Sequence, residues 1–213
     1  MPTFLQEKNA TANILSRTDG GTANTIRDNA INSVRQNEIA NAYPFSFMRT
    51  STSVTTSSGV IDLPANYNIT HAPYDVRVVN SGQGDDYIYK VVNRELYDSF
   101  GSLDRVCFID WNSSTSRWRL NATKDETIRV IYNATPAELT ADADVDNIPD
   151  LDCIAFLAAA RFWLSSERDE TNHDRFKQLG LKRLQQMIIM DKRSNPPRLT
   201  RSSAYRSNMG WNT

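Results

Sequence analysis

Asp142, Asp144 and Asp146 are the residues of this chain whose spacing most resembles a metal-ligand set. Alternate carboxylates open a calcium loop, wrapping oxygens around a hard cation. Such a loop also needs glycine at its sixth position and a bidentate glutamate at its twelfth, and here those are Asn147 and Cys153. The run therefore reads as an acidic lead-in to a helix or as a solvated interface edge. His71 and His173 are far apart, and His173, beside Asp174, reads as a solvated residue at a helix start. Asp85-Asp86 and Asp125-Glu126 read as turn residues rather than paired acids. Cys107 and Cys153 are too few and too distant for a metal knuckle. No nucleophile elbow, phosphate-cradling loop or dinucleotide fingerprint occurs. The sequence thus predicts no catalytic, cofactor-binding or metal-binding residue and argues against an enzyme.

Composition narrows the classes further. The 213 residues carry 24 Lys and Arg against 25 Asp and Glu, a balance unlike that of a dedicated nucleic-acid binder. The longest apolar run, 154–164, is too short for a membrane span and is interrupted by Arg161. Residues 1–12 lack the apolar core of a secretory signal. The expectation is a soluble protein made in a reducing cytosol.

The elements that must position any site are read from periodicity. Ile26, Ala30 and Val34 mark a helical face from Thr25, which should stop at Tyr43, ahead of Pro44. The aromatic junction 43–47 leads into β structure. Strands are expected at 51–56, 60–63, 75–79, 87–92, 105–111, 117–120 and 127–132, mostly antiparallel. The first two flank Ser57-Ser58-Gly59, a hairpin signal. Trp118 and Leu120 against Arg117 and Arg119, and Ile128, Val130 and Tyr132 against Arg129, predict one dry and one wet face. A helical turn is expected at 95–100. Pro149 then suits the first position of a helix with Asp150 and Asp152 in its first turn. That helix is apolar on most sides, leaving Arg161 either paired with a carboxylate or lying at an interface. An amphipathic helix over 174–190 comes next.

The fold class is α+β, a helical bundle with an inserted antiparallel β-sandwich-like domain. Its expected parts are an N-terminal arm, 1–24, helical segments, 25–44 and 136–192, a β domain, 45–135, and an extended tail, 193–213. The tail carries Arg193, Arg198, Arg201 and Arg206 and no acidic residue after Asp191. Leu199, Tyr205, Met209 and Trp211 are spaced among them, as in an extended peptide that docks into pockets on a partner.

The order of parts is recognisable in short signatures. Ala42-Tyr43-Pro44-Phe45-Ser46-Phe47 precedes Ser58-Gly59-Val60-Ile61-Asp62-Leu63-Pro64. Asn93-Arg94-Glu95-Leu96, Cys107-Phe108-Ile109-Asp110 and Tyr132-Asn133-Ala134-Thr135-Pro136-Ala137-Glu138-Leu139 come after them, and then the helix pair from Pro149. Over about residues 20–190 this resembles the head-to-tail adaptors of tailed bacteriophages, including the tail tubular A-like gatekeepers. Segment 1–24 has no counterpart in that resemblance.

The resemblance implies a structural virion protein without a cofactor. Its copies form a ring, usually a dodecamer, joining the portal to a downstream nozzle or stopper protein. The ring prolongs the channel for double-stranded DNA without binding it specifically, at the neck of a virion assembled in the host cytoplasm and away from any membrane. On that reading Arg198, Arg201, Tyr205, Arg206 and Trp211 dock on the portal, and Asp142, Asp144, Asp146 and Arg161 meet a neighbouring subunit. Two alternatives stand beside it. One is a receptor- or carbohydrate-binding β-module of a tail, with Trp111 and Trp118 as stacking platforms. The other is a DNA-binding accessory protein using the Arg-rich tail.

Overall fold

The helix expected to begin at Pro149 begins two residues later, at Leu151. In the computed structural model, which describes residues 1–16, 21–79, 87–101 and 104–195, Asp150 is the cap of α5 (Leu151–Phe162). Its side chain accepts from the Cys153 N–H at 2.9 Å. A short aspartate there satisfies a donor that the helix leaves orphaned, which outweighs the pre-set φ of proline. Ile154, Ala155, Leu157, Ala158, Ala159 and Phe162 are all buried. Three other helices enclose α5: α1 (Phe4–Leu15), α2 (Thr22–Ser33) and α6 (Glu170–Ser194).

Small residues set the α5–α6 spacing. The Gly180 carbonyl of α6 accepts from Cys153 Sγ at 3.7 Å. A Cβ on Gly180 would lie 2.5 Å from Leu157 Cγ. Gly180→Ala is therefore expected to destabilise the chain by roughly 1–3 kcal/mol by overpacking, although alanine is the better helix former. Chemical denaturation would check this, and a gain in stability would refute it.

The first sixteen residues do not extend as an arm. Thr3 and Gln6 close a capping box at the start of α1, with Thr3 N–H donating to Gln6 Oε1 at 2.9 Å. Phe4, Glu7, Thr11 and Leu15 turn inward on one face. Asp146 N–H donates to the Pro2 carbonyl at 2.9 Å, fastening the start of α1 to the segment that leads into α5. Two polar residues on the inward face hide this helix from apolar periodicity.

The helix expected from Thr25 starts at Thr22 and continues through a π-helical turn, Val34–Ile39, into α3 (Ala40–Ala42). It stops at Tyr43, whose backbone is extended ahead of Pro44. A second π-helical turn, Trp163–Glu167, continues from α5.

The β portion forms two sheets. One has the order β1-β7-β3, from β1 (Arg49–Thr55), β7 (Thr127–Asn133) and β3 (Asp75–Val78). The other runs β2-β6-β5-β4, from β2 (Val60–Asp62), β6 (Arg117–Ala122), β5 (Val106–Asn112) and β4 (Lys90–Val91). Both feed one apolar cluster that includes Leu63, Val76, Cys107, Leu120, Ile128 and Val130. Pairing is antiparallel except for β4 with β5. A short helix, α4 (Arg94–Tyr97), lies against β5, with Tyr97 edge-on to Phe108.

The expected hairpin is replaced by a crossing between the sheets. Ser58 (φ 54°) and Gly59 (φ 72°) make the tight turn, and Ser57 bridges Val60. Glycine is required, because a Cβ at position 59 would run into the Ala122 carbonyl. The strands then part, β1 to β7 and β2 to β6. Thr56 explains why. Its hydroxyl donates to the Lys124 and Glu126 carbonyls and accepts from the Glu126 N–H at 2.9 Å. The turn is thereby tied to the β6–β7 loop rather than to its own partner strand.

Where helices meet sheets the junction is closely bonded. Asn68 and His71 both bond the Ala40 carbonyl at the start of α3, at 3.1 and 2.9 Å. Ala134 N–H donates to the Met48 carbonyl at 2.9 Å. The Ser46 hydroxyl and N–H both donate to Asp191 near the end of α6.

Candidate functional site

The acidic run is largely spent inside the subunit. Asp142 pairs with Lys8 of α1 at 2.8 Å while its side chain stays 61% exposed. Asp144 accepts from the N–H groups of Thr140 and Ala141, both at 2.8 Å, and these bonds hold its carboxyl below the ordinary range. Asp146 is only 1% exposed and takes a bidentate Arg35 with two bonds of 2.8 Å. Asp146 therefore faces inward and is not a surface contact for a neighbour. Among the described residues no group of His, Cys, Asp and Glu is placed to hold a metal ion.

Arg35 organises a buried knot. Its Nη1 also donates to Asn32 Oδ1 and to the Ala137 carbonyl, each at 3.0 Å. Asn32 in turn clamps Leu139 from both sides, giving to its carbonyl at 3.0 Å and accepting from its N–H at 2.9 Å. Glu7 of α1 is fully buried beside this knot, and neither carboxyl oxygen has a hydrogen-bond partner. Burial first, and then the Asp146 charge, push its carboxyl up to about 9. Burial thus favours the protonated form of Glu7 beside the Arg35–Asp146 pair. Lone polar positions on an apolar face gave no warning of this knot.

Arg161 takes the paired alternative. Its guanidinium bonds Glu38 of the π-helical turn and, at 2.6 Å, Ser33 Oγ of α2. With Leu164, His173 and Lys177 it also lines an open groove of about 760 Å³. His173 is bonded to the Ala160 carbonyl at 2.9 Å, joining α6 to α5 rather than standing in solvent. Asp125 takes the Gly59 N–H, and Glu126 pairs with Arg105 at 2.9 Å, so both are turn braces. Cys107 and Cys153 are buried free thiols whose pKa burial raises to about 12, well above the range of a reactive thiolate. Asp85 and Asp86 lie outside the described residues, as do Arg198, Arg201, Tyr205, Arg206 and Trp211.

A family model described as SU10 adaptor protein matches residues 3–203. The chain belongs to the SU10 adaptor protein family. This is a family of structural phage adaptors, not an enzyme class, and its members work in the virion with other virion components. Because the match starts at residue 3, α1 is part of the family pattern rather than an addition to it. No curated protein matches the chain.

The adaptor shows two further surface features. Trp111 on β5 is 51% exposed and stands edge-on to Trp118, ring centres 5.2 Å apart. Between the last turns of α6 and the start of α5 lies a groove of about 560 Å³. Its lining is apolar at Phe47, Leu151, Met187 and Met190 and acidic at Asp150, Asp152 and Asp191. No described helix is long and apolar enough to cross a membrane.

Proposed function

We propose that this adaptor assembles as a ring, of twelve copies, between the portal and a downstream tail protein of the nozzle or stopper kind. The ring prolongs the channel through which double-stranded DNA is packaged and ejected. Membership of the adaptor family across residues 3–203 carries this reading. The near-neutral charge suits a channel that must pass DNA without gripping it. Asp142 and Arg161 keep part of their side chains at the surface and remain the candidates for contact between neighbouring subunits.

The portal contact falls to the basic, aromatic tail, through Arg198, Arg201, Tyr205, Arg206 and Trp211. Asn195 is the natural cut, since its side chain still bonds Ser46 Oγ at 2.9 Å. Electron microscopy of the protein mixed with the portal of the same virus should show a stacked ring, lost on removing everything after Asn195. Replacing Arg198, Arg201 and Arg206 together with glutamate should weaken attachment at least tenfold by charge reversal. Unchanged attachment would remove the tail from the contact, and no association would remove the adaptor ring itself.

The exposure of Trp111 favours one second reading, a glycan-binding patch on the β portion. Binding of a saccharide by the isolated protein, abolished by Trp111→Ala, would establish it.

A further inference from the structure

An apolar and acidic lining makes the α5–α6 groove a receptor for a peptide that is both basic and apolar. Three carboxylates face one guanidinium along it, and that guanidinium, on Arg183, is already paired with Asp152 at 2.6 Å. Met190, one of its lining residues, is 67% exposed, and methionine adapts to varied partners. Asn195 forms part of the lining, so the chain leaves α6 from within the groove. The next residues are Pro196-Pro197-Arg198-Leu199-Thr200-Arg201, with no acidic residue through Thr213.

We infer that this groove is the seat of the chain's own tail, with Leu199 on the methionines and Arg198 and Arg201 against Asp150 and Asp152. Reach is sufficient. From Asn195 back to Arg183 the groove runs about 18 Å along α6, which about six extended residues cover. Attachment at the groove gives the tail a local concentration on the order of millimolar, ahead of any tail from another copy in dilute solution. The inference rests on the portal reading for one consequence: the arginines offered to the portal are first held on the subunit, and attachment must draw them out of the groove.

A spin label on Ser202→Cys in the full-length protein tests this, because both native thiols are buried. Methyl signals of Met187 and Met190 should broaden severalfold, to the same extent at every protein concentration. Arg198→Glu with Arg201→Glu, beyond the end of α6, should restore sharp signals. Met190→Lys should restore the Met187 signal and speed attachment to the portal severalfold. Sharp methyl signals in the labelled parent would overturn the assignment. So would broadening that grows with concentration, which would give the groove to another copy's tail. Unlabelled parent that fails to join the portal would sink the portal reading while leaving the broadening, and hence the groove, intact.

Discussion

Arg35→Ala is expected to lower the stability of this adaptor by about 3–5 kcal/mol, the usual cost of stranding a buried charge. The guanidinium meets Asp146, Asn32 and the Ala137 carbonyl at once. Its removal leaves Asp146 ionised with no counter-charge and frees the segment that Asn32 fixes at Leu139. Replacing both members, Arg35→Met with Asp146→Leu, should cost far less, because no uncompensated charge remains. Urea denaturation of the three proteins would check this. A loss below about 1 kcal/mol for Arg35→Ala would mean that the pair is as dispensable as a surface bridge.

Glu7→Gln should remove a pH dependence that the parent shows in neutral and alkaline solution. The carboxyl titrates near its ordinary value of 4.5 when exposed on unfolding and at about 9 when folded. Between those values the folded chain keeps a proton that the unfolded chain has lost, so raising the pH favours unfolding. The slope is up to about 1.4 kcal/mol per pH unit for the single proton. Stability from this group is fully present below about pH 4.5 and is lost as pH climbs to about 9. Asp110, Glu126, Asp144 and Asp169 are held below the usual carboxylate range and act in the opposite sense, losing their contribution only in acid. The two limbs are therefore separable. Glutamine cannot ionise and nearly matches the protonated acid in shape. Denaturation midpoints of Glu7→Gln between pH 6 and 9 should stay flat where those of the parent fall; parallel curves would contradict a proton held on Glu7.

Much of the architecture was legible because residue types and positions agreed. Ile128, Val130 and Tyr132 are buried with Arg129 outside, as their alternation requires. Tyr43 ends its helix because Pro44 comes next. Two of the failures depend on partners remote in sequence, and a third on a cap three residues away. The burial of Glu7 makes sense only once Asp146 and Arg35 are brought near it from elsewhere in the chain. Ser57-Ser58-Gly59 specified its turn correctly, yet Thr56 bonding across to Lys124 and Glu126 decided where the flanking strands went. Asp150 outdid Pro149 because a side-chain oxygen within reach of Cys153 N–H settles a helix start more firmly than a fixed φ. The family resemblance, carried by element order, missed α1 because an Asn-rich helix with polar residues on its inner face offers no signature.

The junction between helices and sheets bears on mechanics. Asn68 and His71 grip one carbonyl at the start of α3, Ala134 holds Met48, and Ser46 is fastened to Asp191. Those bonds tie the β portion to α3 and to the last turns of α6 through a few polar contacts. A displacement of the β portion is therefore felt first at Ala40 and at the last turns of α6, and the strength of those few bonds decides how far it travels into the helices.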